Sequence, residues 1–157
     1  MPEISARIAT ELAAGRKVLS DTQGHSSVAV FEMPLVHAGG AIADTFGSPV
    51  AGQGLILRKG SRLLAGGIIL SNSAGTAAST IACGLRNPVT KVAIDATAIM
   101  AQTAITTAAT APIATGTKVN AGQRYVLPED AEIYLTAAGA AVAANQAIRI
   151  EVPYITA

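Results

Sequence analysis

The sequence predicts an all-β chain: an antiparallel β-sandwich, jelly-roll-like, behind an N-terminal helical or extended arm. Three observations predict it. Short runs rich in Val, Ile and Thr alternate in hydropathy, as half-buried strands do. Gly, Pro, Asn and Ser clusters break those runs about every 8 to 12 residues, the spacing of sandwiches and jelly rolls. The one Ala-rich stretch that could score as helix, 95–117, is crowded with β-branched residues and contains Pro112, which disfavours a long helix.

Residues 1–27 read as the arm. Pro2 and Glu3 suit a first helical turn, Ile4, Ile8 and Leu12 follow at i, i+4 and i+8, and Gly15 can end the segment. So short an amphipathic helix is unstable alone. Its stripe is expected to dock, on an assembly neighbour rather than on its own domain. Residues 16–27 are polar and turn-rich.

Residues 28–157 read as the sandwich. Val28, Val30 and Glu32 alternate with Ala29, Phe31 and Met33, and Pro34 marks an edge or a bulge. A short strand is expected within 41–46, and another over 55–57. The strongest strand is 62–70, interrupted at Gly66-Gly67, with 79–85 returning beside it as a hairpin. A further short strand is expected over 89–94. The 95–117 stretch reads as a loop with a helical turn, followed by an exposed strand. Strands over 125–127 and 132–136 flank Pro128-Glu129-Asp130, and 137–145 is a small-residue link. In the last strand Ile148, Ile150, Val152 and Tyr154 share one face, with Arg149, Glu151 and Pro153 on the other.

Composition narrows the function. Of the 157 residues, 50% are hydrophobic but only 3% aromatic and 13% charged, against roughly 25% charged in average domains. Formal charge is +1, with no basic patch, so no nucleic acid is expected as ligand. No apolar run approaches the ~20 residues of a membrane helix, and the first residues do not read as a signal peptide. Cys83 alone allows no internal disulfide and fits synthesis in a reducing cytoplasm.

A catalytic set is not legible. His25 and His37 stand in no metal-ligand spacing and read as a loop and a strand-end histidine. Cys83, among Ile81, Ala82, Gly84 and Leu85, reads as a buried inert thiol. The stretch Gly47 to Gln53 has Gln where a phosphate loop needs Lys. Gly52-Gln53-Gly54 lacks the third glycine of a dinucleotide fingerprint. The acidic group Glu129, Asp130 and Glu132 reads as a solvated turn, and Phe31, Phe46, Tyr125, Tyr134 and Tyr154 as core anchors. No catalytic residue, cofactor or metal is expected.

Two stretches resemble small structural proteins of tailed-phage virions. One is Leu57-Arg58-Lys59-Gly60-Ser61-Arg62-Leu63 ahead of a strand. The other is the ending from Ala131 to Tyr154, a strand, a Gly-Ala-rich link and a closing strand with an aromatic. The similarity, over roughly 55–157, is to the capsid decoration, or cement, proteins. It implies a β-sandwich, often a jelly roll, seated as an oligomer over junctions between major capsid subunits, and no catalytic residue. The expectation is therefore a non-enzymatic virion protein on the capsid surface. Its partners are the major capsid protein and its own copies, as dimer or trimer. Ile4, Ile8, Leu12, Ile105 and Ile113 are the expected contact residues, and the neutral stretches 95–117 and 137–147 the expected contact regions. Short Ala, Thr, Ser and Gly side chains lose little entropy when an interface forms, and many copies on a shell add avidity. A receptor- or glycan-binding head of a fibre or spike is the alternative, for which an exposed polar or aromatic pocket is the discriminating feature. An enzyme built around His25, His37 or the acidic turn is a third reading.

Overall fold

Among the described residues, ten strands, each antiparallel to its neighbours, build two five-stranded sheets. The computed structural model describes residues 26–120 and 125–156. The arm stripe Ile4, Ile8 and Leu12 lies outside the described residues, as does His25. Ser26 and Ser27, expected at the end of the arm, are the first residues of a strand.

The strands are β1 (Ser26–Glu32), β2 (Thr45–Phe46), β3 (Leu55–Leu57), β4 (Arg62–Leu63), β5 (Ile69–Asn72), β6 (Thr80–Arg86), β7 (Ala93–Ala104), β8 (Ala109–Pro112), β9 (Ala131–Ala138) and β10 (Ile148–Ile155). One sheet has the order β1-β10-β5-β8, with β4 also on β10. The other has the order β2-β9-β6-β7, with β3 also on β9. Because β2 and β3 lie along the same partner, they are two halves of one interrupted strand, and so are β4 and β5. Counted that way, eight strand positions run 1-8-3-6 in one sheet and 2-7-4-5 in the other. That is the double-sheet arrangement of a jelly roll.

Facing side chains of the two sheets make the core. Cys83, Leu85, Ile133 and Leu135 come from the β6–β9 pair, and Ile148, Ile150 and Val152 from β10. The alternation expected for β10 is present: Ile148, Ile150 and Val152 are buried and Arg149 is exposed. Each fully buried Leu or Ile contributes about 1.5–3 kcal/mol. Phe31, Phe46, Tyr125 and Tyr154 pack against this core from its margins, as expected. Tyr134 differs, because its place between Ile133 and Leu135 turns it to the outer face of the sheet.

Several local expectations are corrected. The segments 62–70 and 79–85 do not pair as a hairpin; β5 and β6 lie in different sheets. Within 41–46 only Thr45 and Phe46 are strand. Residues 89–92 are turn and exposed loop, and Val126 makes only an isolated bridge to Arg62. The largest difference is 95–117, expected mainly as loop. Most of it is strand, in β7 and then β8, the latter exposed as expected. In β7 the ladder is bulged: Cys83 pairs with Met100 and Leu85 with Asp95, so two steps along β6 span five along β7. The extra residues turn Ala98, Ile99 and Met100 consecutively into the core. A bulge of this kind removes the two-residue period from the sequence.

Candidate assembly surface

Among the described residues, the most concentrated electrostatic feature is on the outer face of the β6–β9 pair. Arg86 and Glu132 stand opposite each other in register. Arg86 donates from Nε to Glu132 Oε2 at 2.9 Å and from Nη2 to Oε1 at 3.0 Å. Lys91 Nζ donates to Oε2 at 2.7 Å, and the Ser48 amide to Oε1 at 2.8 Å. The Glu132 side chain is wholly buried. Burial alone raises its pKa, but the hydrogen bonds from Arg86, Lys91 and the Ser48 amide, with the charge of Arg86, outweigh it and hold the carboxyl below its usual range. The expectation of a solvated acidic turn is thus corrected for Glu132, while Asp130 remains in that turn, paired with exposed Arg58 at 2.8 Å.

This ionic group holds the glycine-rich segment between β2 and β3 onto the sheet. Arg86 also donates to the Ser48 carbonyl at 2.9 Å, and Lys91 to the Gln53 carbonyl at 3.1 Å. The Gly52 amide donates to the Pro88 carbonyl at 2.8 Å. Gly54, at φ +120, lies so close that a Cβ there would sit 2.5 Å from Glu132 Oε1. The result is one braced tip of the sandwich that presents Val50, Val89 and Val92 to solvent. At the opposite end of β9, Leu35, Val36 and Ile42 are exposed too, Leu35 at 88%. Their segment is tied to the β9–β10 link: the Gly40 amide donates to the Val142 carbonyl at 3.1 Å and the His37 amide to Asn145 Oδ1 at 2.9 Å. Between these ends, a cavity of ≈ 410 Å³ opens where β1 passes β2 and β3, with Phe31, Met33, Phe46, Leu55 and Ile133 in its wall.

The residues singled out from sequence fall as follows. His37 lies in the β1–β2 link rather than at a strand end. Its Nδ1 accepts from the Gly39 amide at 3.0 Å, so Nε2 carries the proton and donates to the Gln146 carbonyl at 3.0 Å. Cys83 is completely buried, and burial pushes its thiol pKa up. Ile105 is also fully enclosed in the chain's own core, which leaves its side chain no surface to offer a second subunit. Ile113 is half-buried against the core, next to exposed Pro112 and Ala114. The structure does not bring Ile105 and Ile113 into one exposed patch. The β7–β8 link and the start of β8 do expose a neutral run, Thr107, Ala108, Ala109 and Thr110. Sequence reasoning missed the Arg86–Glu132 pair; its signal was a charged residue at an alternating position of each of two strands. No group of three or more His, Cys, Asp or Glu suited to a metal occurs among the described residues. Nor is any helix among them long and apolar enough to cross a membrane.

The fold is shared with chains of two solved phage particles. A chain in the capsid of Ralstonia phage GP4 is 16% identical, with a TM-score of 0.63 over 89% of this chain and 90% of that one. A chain in the capsid asymmetric unit of cyanophage Pam1 is 17% identical, with a TM-score of 0.53 over the whole of both chains. No family model matches the sequence, and no curated protein matches it.

Proposed function

We propose that the chain is a structural virion protein that binds the outer surface of a phage capsid and stabilises the shell by bridging major capsid protein subunits. The observation that carries this reading is the jelly roll held in common, over 89% or more of each chain, with components of two phage capsids. The surface supports it. Two braced apolar tips at opposite ends of β9, Val50-Val89-Val92 and Leu35-Val36-Ile42, give one molecule two places to touch different subunits. Both sets are short aliphatic side chains, which lose little rotamer freedom on contact. Modest contacts repeated over a lattice of sites add to firm attachment.

The arm stripe Ile4, Ile8 and Leu12 is the third contact in this reading, with Ile113 at the margin of the sandwich. The test is co-sedimentation with expanded capsid shells. The full chain is expected to load onto shells and raise their tolerance to heat. Deletion of residues 1–15 is expected to lower occupancy. A full chain that stays in the supernatant at every concentration overturns the proposal.

A further inference from the structure

Among the described residues the two sheets have four edges, and these are not treated alike. β8 is four residues long and ends in Pro112, which cannot donate to a ladder. The β7 edge is bulged, and the Thr97 and Ala98 carbonyls beside it accept from the amides of Thr117 and Lys118. The β2/β3 edge is cut into pieces of two and three residues. These are the devices by which sheets avoid recruiting another strand. β1 has none of them. It runs seven residues in unbroken register, from Ser26 opposite Ile155 to Glu32 opposite Arg149. It contains no Pro, Gly or Lys, and among the described residues it has a strand neighbour on one side only. Its outward side chains Val28 and Val30 are 56% and 39% exposed.

We propose that the β1 edge is the homodimer interface, where β1 pairs antiparallel with β1 of a second copy to join two four-position sheets into one eight-position sheet. The sequence of β1 favours itself as partner. Centred on Ala29, a two-fold pairing uses all seven residues, sets Val28 against Val30 of the other copy on the outer face, and Ser27 against Phe31 on the inner face. Its single charge, Glu32, faces Ser26, so no like charges meet. Cross-strand pairs of β-branched residues are favourable, and a self-complementary edge is what an isologous dimer requires. The inference does not rest on the capsid reading, because it concerns the isolated chain.

The experiment measures the mass of the full-length protein in solution by light scattering and by sedimentation. Wild type is expected at the mass of two chains. The exposed pair Val28→Lys and Val30→Lys is expected to raise the dimer dissociation constant at least about tenfold, by placing charges opposite each other across the seam, with the β-sheet circular dichroism unchanged. Ala29→Cys provides an independent reading of register. Opposed residues in antiparallel strands have Cα atoms about 4.5–5.5 Å apart, inside the about 4.4–6.8 Å range of a disulfide. Oxidation is therefore expected to link two copies through position 29, while wild type, whose only cysteine is buried Cys83, stays unlinked. A monomer at all concentrations, a trimer, or a dimer indifferent to both lysines and unlinked by Ala29→Cys overturns the proposal.

Discussion

Arg86 and Glu132 face each other across β6 and β9 on the outside of the sandwich, joined by two hydrogen bonds of 2.9 and 3.0 Å, yet their side chains are only 8% and 0% exposed. An ion pair on the outer face of a sheet is ordinarily solvated and contributes little. Here the 47–54 loop is drawn over it, and the Arg86 guanidinium lies 5.0 Å from the centre of the Tyr134 ring. Two cations share one carboxylate, and that carboxylate accepts from four donors. The pair is therefore a buttress for a loop.

Removal of the carboxylate should be costly. Glu132→Ala leaves Arg86 buried without its counter-charge, and breaking a buried pair from one side costs about 3–5 kcal/mol. Urea denaturation followed by circular dichroism should show that loss. A loss under about 1 kcal/mol would mean the group is solvated.

Acid should act on the same place. The Glu132 carboxyl is held below its ordinary value in the folded chain, so its stabilising contribution is fully present above the unfolded value of about 4.3. It is lost as pH falls through the lower folded value. Asp130 behaves likewise, held down by hydrogen bonds from the Lys59 amide and from Arg58. Stability measured from pH 7 to pH 2 should fall below about pH 4, and Glu132→Gln should make the fall shallower.

Glycine positions give a local test of the loop closure. Gly54→Ala adds a methyl 2.5 Å from Glu132 Oε1 in a backbone held at φ +120, whereas Gly66→Ala meets nothing within 4 Å. The first should destabilise by about 1–3 kcal/mol and the second by less than about 0.5 kcal/mol. Thermal unfolding of the two variants side by side separates them. Equal effects would remove the close approach as the cause.

Ile105 tests the core assignment against the sequence expectation of a contact residue. It is completely buried, so Ile105→Ala should cost about 2–5 kcal/mol and leave the association state of the protein that remains folded unaltered. Light scattering on the folded fraction, together with a denaturation curve, distinguishes a core residue from an interface residue.

The sequence was most informative where the chain obeys a local period. Ile148, Ile150 and Val152 announce β10, and the Glu132-to-Thr136 run announces β9, because one face of each is buried against the other sheet. It was least informative where distant contacts decide. The Ala-Thr-Ile texture of 95–104 carries no period of two, since the β7 bulge buries Ala98, Ile99 and Met100 in succession. The supposed hairpin of 62–70 and 79–85 failed because its strands find partners far along the chain, in β10 and β9. Glu132 resembled its neighbours in a turn, and partners distant in sequence, Arg86, Lys91 and the Ser48 amide, make it structural. The jelly-roll class was legible, and so was the break at Gly66-Gly67 that parts β4 from β5; the joining of β2 and β3 into one strand position was not, because Gly47, Ser48 and Gly54 give no sign by themselves of the carboxylate they enclose.

Cys83 gives every molecule one thiol at the centre of β6, where it is 0% exposed and its pKa is raised by burial. A thiol reagent needs both access and thiolate, and neither is available until the two sheets part. Reagent uptake therefore keeps time on opening: a population labelled slowly in buffer and quickly in denaturant yields the rate at which the closed sandwich breathes. Arrested uptake after attachment to any larger body would register, in a single covalent count, how firmly that body holds the sheets shut.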